Sequence, residues 1–114
     1  MDLSISVRDS HGVAVLELAG RLVYGRECEA LREQVKQLLA ADQKKILLNL
    51  KNISQFDSAG LGSLAGIFIS VRNHGGELKL AHPTRRIQAV LESTSLTAIF
   101  DAYQNEEEAL ASFD

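Results

Sequence analysis

Asp57 and Ser58 are the residues of this 114-residue chain best placed for chemistry, within NISQFDSAGLGSLAGIFISV (52–71), a stretch without charge between Asp57 and Arg72 and with glycines at 60, 62 and 66. A carboxylate and a hydroxyl where a strand gives way to a helix could cap that helix, form part of a phosphate-binding turn, or supply a nucleophile. Capping is the simplest use, since both residue types are favoured at the first unpaired N–H groups of a helix. A phosphate loop of the Walker type needs Lys and then Ser or Thr after its last glycine, and neither follows Gly66. The glycine spacing is one residue too long for a dinucleotide fingerprint, and the following strand, ELKLAH, ends in His82 where an acid would hold a ribose. Ser58 is not set in a Gly-x-Ser-x-Gly elbow, so nucleophilic hydrolysis is not expected.

The other reactive side chains are scattered. His11, His74 and His82 fall at a hairpin turn, a helix end and a strand end, without the spacing of a metal site. Cys28 lies on the apolar stripe of a helix and reads as a small core residue; as the single cysteine it excludes an intramolecular disulfide. No catalytic residue, metal or cofactor is expected, and an enzyme is the least supported class.

The elements that position Asp57 and Ser58 follow from periodicity. Leu3, Ile5 and Val7 alternate with polar residues, and after DSHG the apolar positions Val13, Val15, Leu16 and Leu18 predict the second arm of a hairpin. Cys28, Leu31, Val35, Leu38 and Leu39 recur at helical spacing across 26–41. KKILLNL (44–50) reads as a buried strand ending near Asn52, and a helix begins near Ser58. Gly75 and Gly76 end it, ELKL forms the next strand, and Pro83 suits the first turn of another helix with Ile87, Val90 and Leu91 inward. Ile99 and Phe100 suggest a last short edge strand or extended segment. Asn105 ahead of Glu106, Glu107 and Glu108 predicts a capped terminal helix carrying Ala109, Leu110 and Phe113 inward. The order implies one α/β domain over 1–114: a mixed sheet of four to five strands with about four helices mainly on one side.

The helix after Ser58 is unusual in carrying no charge before Arg72. Leu61, Leu64, Ala65, Phe68 and Val71 are expected to form its core stripe, leaving Ala59, Gly62, Ser63, Gly66, Ile67, Ile69 and Ser70 outside. A solvated face is normally charged, and each interior glycine costs about 0.8 to 1 kcal/mol relative to alanine. Close approach by another element of the fold or by a partner protein is therefore expected.

Composition narrows the function classes. With 46% hydrophobic and 24% charged residues the chain has the balance of a folded globular domain. A net charge of -3 and dispersed basic residues disfavour direct nucleic-acid binding. No apolar run approaches the roughly 20 residues of a membrane span, and MDLSISVRDS lacks the blocks of a signal peptide, so a cytoplasmic protein without membrane insertion is expected.

Together, NLKNISQFDSAGLGSLAGIFISVRNHGGELKLAHPTRRIQAVLESTSLTAIF and the flanking hairpin and NEEEAL helix resemble the STAS domain of bacterial anti-sigma factor antagonists. The Asp-Ser-Ala-Gly-Leu turn is the most specific part. The resemblance implies that Ser58, the serine after the aspartate, is phosphorylated by an anti-sigma factor that is also a serine kinase. The unphosphorylated form would bind that factor and free the sigma factor, and a serine phosphatase would reset the switch. The partner surface implied comprises Asp57, Ser58, Ala59, Gly60, Leu61, Gly62, Ser63, Gly66 and Ile67, on a monomer or weak dimer. The family often carries Gly-Glu-Leu-Asp in the loop after the second strand; here GRLVYGRE puts Arg21 and Val23 at the acidic positions, which leaves partner identity and kinase recognition open. Arg21, Tyr24 and Arg26 are candidate contacts to an acidic partner, and Arg85 and Arg86 are candidate partner contacts. Two other roles fit the same resemblance: a STAS subunit of a lipid ABC transporter, and a stressosome-type signalling scaffold.

Overall fold

The structure, a computed structural model, describes residues 2–113. Its elements are β1 (Leu3–Ser10), β2 (Val13–Leu22), α1 (Arg26–Ala40), β3 (Lys45–Phe56), α2 (Ser58–Asn73), β4 (Glu77–Ala81), α3 (Arg85–Ser93), a 3-10 turn (Leu96–Ala98), β5 (Asp101–Tyr103) and α4 (Glu106–Ala111). The five strands form one sheet in chain order. β1 and β2 are an antiparallel hairpin, and β2 to β5 run parallel. Parallel neighbours need crossovers, which α1, α2 and α3 supply.

Apolar residues of α1, α2 and α3 join one sheet face in a single core: Leu31 and Val35, Leu64 and Val71, and Ile87 and Leu91 pack with Leu16, Leu18, Ile46, Leu48 and Leu50. The alternate residues Val13, Val15, Leu47 and Ala81 face the other way and are covered by Ala109, with Leu110 and Phe113 beside it. β2 and β3 are thus buried on both faces, which is why KILLNL reads as a nearly continuous apolar run.

The small helix α4 is held to that second face by polar contacts. Asn105 caps it through an Oδ1 bond from the Glu108 N–H (2.9 Å), and Glu106 accepts from Arg8 and from Asn49 Nδ2. The buried Lys79 ammonium donates to the Ser112 carbonyl at 3.0 Å and lies over the Phe113 ring, 5.1 Å from its centroid.

Four details differ from the sequence expectations. β3 runs past Asn52 to Phe56, because two register shifts against β2 keep the ladder going to the pair Leu22 and Phe56. Its far half buries only Ile53 and Phe56, too sparse a pattern to read as a strand. The last strand starts at Asp101, after Ile99 and Phe100, and pairs with Lys79–Ala81. Pro83 lies outside α3; Thr84 is the cap, its Oγ1 accepting from the Ile87 N–H at 3.2 Å.

The fourth concerns α2. Its inward stripe is Gly60, Leu64, Ile67 and Val71, with Leu61 and Phe68 flanking it. Ile67, expected on the outer face, is 2% exposed; Ile69 is outside as expected, at 57%.

Candidate functional site at the mouth of helix α2

The β3–α2 junction is built around Asp57. Its backbone is extended, so β3 passes straight into the helix, and Oδ1 accepts the Gly60 N–H at 2.9 Å. Oδ2 accepts the Tyr24 N–H at 3.1 Å, tying the β2–α1 loop to the same carboxylate. The Gly60 N–H first, and the Tyr24 N–H with it, hold the Asp57 carboxyl below the usual carboxylate range against some desolvation. Asp57 is therefore an ionised cap serving two elements.

Ser58, the first residue of α2, is exposed. Its position places it against the unpaired N–H groups and the positive end of the helix dipole. A negative group added there meets a favourable backbone field and a fixed neighbouring carboxylate.

Gly60 and Gly62 have different reasons to be glycine. A Cβ on Gly60 would lie 2.4 Å from the Leu22 carbonyl and 3.0 Å from the Phe56 ring, so this glycine lets the end of β2 approach the helix. Cβ atoms on Gly62 and Gly66 would meet nothing within 4 Å. Of the two causes expected for the glycines, approach within the fold accounts for Gly60 alone.

The surface expected over 57–67 is consequently narrower. Gly60, Ser63 and Ile67 turn into the fold because they lie on the stripe facing the sheet and α1. Ser63 is fully buried and its Oγ has no hydrogen-bond partner among the described residues. Asp57, Ala59, Leu61 and Gly66 are partly accessible, and Ser58 and Gly62 are exposed.

A shallow depression adjoins the junction, lined by Arg21, Val23, Tyr24, Gln55, Asp57 and Arg86 among others. Several candidate partner contacts are engaged here within the chain. Arg21 pairs with Asp2 (2.9 Å) and donates to Gln55 (2.8 Å). Arg86 donates through Nε to the Phe56 carbonyl at 3.1 Å, fixing the start of α3 to the end of β3. Tyr24 projects outward, 83% exposed. The sequence signals neither the Asp57–Tyr24 nor the Arg86–Phe56 bond, because each joins residues about 30 apart through backbone atoms.

Among the described residues no group of His, Cys, Asp and Glu is arranged to hold a metal, and no helix is long and apolar enough to cross a membrane. Cys28 is buried, its Sγ 3.0 Å from the Val23 carbonyl.

Comparison with known proteins places the chain in a group. Residues 4–109 match the family model described as the STAS domain. The anti-sigma F factor antagonist of Paenibacillus polymyxa is 29% identical over 115 residues, covering 100% of this chain and 97% of that one. The anti-sigma-B factor antagonist of Bacillus subtilis is 31% identical over 102 residues, covering 89% and 91% respectively. The Bacillus cell fate determinant SpoIIAA, in its phosphorylated form, has the same fold, with a TM-score of 0.75 at 21% identity over 95% of this chain and 97% of that one.

Proposed function

The chain belongs to the STAS domain family, among the anti-sigma factor antagonists, and from that premise we propose that it is a switch thrown by phosphorylation of Ser58. In this reading the unmodified protein binds an anti-sigma factor that is also a serine kinase, releasing the sigma factor. Phosphorylation by that partner ends the binding, and a serine phosphatase restores it. The observation that carries the reading is the exposed Ser58 hydroxyl at the start of α2, beside a carboxylate already fixed by two backbone N–H groups.

Energetics support a switch that acts at the surface. Phosphate at this position adds roughly -1.5 to -2 charges and faces the positive end of α2, so the fold tolerates it. In a close interface the same group adds bulk and repulsion against Asp57. A penalty of about 3 to 4 kcal/mol corresponds to a loss of affinity of about 10²-fold to 10³-fold. The docking surface in this reading comprises Asp57, Ser58, Ala59, Leu61 and Gly62, with the exposed Tyr24 ring alongside.

Ser58→Asp tests the reading. Immobilised wild-type protein should capture a kinase-like anti-sigma factor, and the variant should not, while both melt at nearly the same temperature. Retention of full affinity by Ser58→Asp would exclude the mechanism. The partner kinase should label Ser58 and leave Ser58→Ala unlabelled; incorporation at Ser63 would move the site to a residue that is buried in the unmodified fold.

A further inference from the structure

β1 (Leu3–Ser10) is an edge of the sheet: β2 pairs with one side of it, and no strand pairs with the other among the described residues. Which of its backbone groups face outward follows from the turn. His11 and Gly12, with φ of 53° and 86°, form a two-residue turn that closes on Ser10 and Val13, so that pair is hydrogen-bonded. At the far end the Arg21 N–H donates to the Asp2 carbonyl at 2.7 Å, which gives the same phase. Alternation between the two ends turns the N–H and C=O groups of Ile5 and Val7 away from β2. Leu3, at 3% exposure, is covered at its end of the strand.

Such an edge is normally blunted by proline, lysine, a bulge or extreme shortness. β5, at the opposite edge, has three residues. β1 has eight, in unbroken register with β2, and contains no proline, glycine or lysine. Its one cation, Arg8, is drawn onto the α4 face of the sheet by Glu106 and Glu17. Val7 is left 41% exposed, on the face where Ile5 packs against the main core.

We propose that β1 pairs antiparallel with β1 of a second copy, about a two-fold axis at Ser6, along the segment from Ser4 to Arg8. This register opposes Ile5 to Val7 of the second copy. Both are outward-facing residues, so the pair exchanges two backbone hydrogen bonds, and the two-fold repeats it. Each exposed Val7 then lies beside an Ile5, an apolar cross-strand pair in place of a solvated side chain. On the α4 face Ser6 meets Ser6 and Ser4 meets Arg8. Asp2 falls diagonally across from Arg8 of the second copy, within reach of that long side chain and opposite in charge. Their side chains are 64% and 43% exposed within one chain. A second copy is favoured over an unrelated strand because the segment complements itself in hydrogen bonding, apolar pairing and charge. None of its residues belongs to the surface proposed for the anti-sigma factor, so the inference goes beyond the switch reading.

One strand pair makes a small interface, in the weak class below about 1,200 Å². Sedimentation equilibrium of the full chain from about 10 μM to about 1 mM should therefore show monomer passing to dimer. An NOE between Ser4 Hα of labelled chains and Arg8 Hα of unlabelled ones tests the register. Along one strand these residues are about 13 Å apart, whereas opposed residues outside the hydrogen-bonded pairs bring their Cα atoms to about 4.5 Å. Amide exchange at Ile5 and Val7 should slow with concentration, more than at Ser6, which is bonded to β2. Val7→Lys, at an exposed position, should melt near the wild type and weaken the dimer about tenfold or more. Val7→Pro, which removes an outward N–H and no bond to β2, should abolish it. Ser58→Asp should dimerise as the wild type does, so failure of the switch reading leaves this result unchanged. A monomer at every concentration, a dimer without the Ser4 to Arg8 contact, or unchanged association in a folded Val7→Lys protein would overturn the proposal. So would slowed exchange centred on α2, since the helix face would then join the copies. Protection of the Ile5 and Val7 amides by the anti-sigma factor in a chain that stays monomeric would assign the edge to that partner and equally overturn it.

Discussion

Replacing Asp57 separates the two jobs its carboxylate performs. Asp57→Ala removes the bond to the Gly60 N–H and the bond to the Tyr24 N–H. Losing the cap costs about 1 kcal/mol, and the second bond, to a charged acceptor at a partly exposed site, about 1 kcal/mol more. At about 4 °C per kcal/mol for a chain of this size, the melting temperature should fall by about 8 °C. Asp57→Asn keeps a carbonyl oxygen for Gly60 but offers an NH₂ in place of one acceptor, so it should lose about half as much. Hydrogen exchange at the Tyr24 amide should accelerate in both variants, and at Gly60 chiefly in the alanine variant. Because the folded carboxyl titrates below its unfolded value, its contribution is full above the unfolded value and lost as pH falls through the folded one. The gap between wild type and Asp57→Ala should therefore be constant down to about pH 4 and close below it. An alanine variant melting within about 2 °C of wild type at neutral pH, with an unchanged Tyr24 amide, would refute the two-job account of Asp57.

Three further substitutions test the packing by thermal melting. Gly60→Ala should destabilise by about 2 kcal/mol or more, because its Cβ would lie 2.4 Å from the Leu22 carbonyl, whereas Gly62→Ala, with open space around it, should stabilise by about 1 kcal/mol. Ser63→Ala should also stabilise, by about 1 kcal/mol, since the hydroxyl is buried without a partner. Glu106 is desolvated, yet its bonds from Arg8 and Asn49 hold its carboxyl below the ordinary range. Glu106→Gln should therefore cost about 1 kcal/mol at neutral pH, a difference that disappears in acid as the wild-type carboxyl protonates.

Elements with a strong period are legible in the sequence. α1 and the buried run of β3 follow from residues whose spacing matches their burial, the hairpin does so except at Val7, which is 41% exposed, and the Asn105 cap follows from one side chain at a helix start. The second half of β3 was not legible, because it is stabilised by pairing with β2 while exposing Lys51, Asn52, Ser54 and Gln55. The last strand is expected at Ile99 and Phe100 and lies at Asp101–Tyr103 for a related reason: three residues, none buried, are a strand only through their bonds to β4.

The α2 stripe was misread because a helix apolar on every side has no preferred face in its sequence. Tertiary packing picks Gly60, Leu64, Ile67 and Val71, and a glycine in that stripe contributes closeness instead of hydrophobic area. At the site, a cap by Asp57 or Ser58 could be read from residue type, and the structure selects Asp57. The engagement of Arg21 and Arg86 within the chain could not, since both reach residues distant in sequence.

The central claim is that modification of one exposed hydroxyl controls binding without disturbing the fold. Its most direct test is calorimetric titration of the captured anti-sigma factor with the unmodified chain and with the chain carrying phosphate on Ser58 alone, alongside their melting curves. The account predicts affinity lower by about 10²-fold or more for the phosphorylated chain, with closely similar melting temperatures. Equal affinity for the two forms would contradict it, as would a loss of binding accompanied by unfolding.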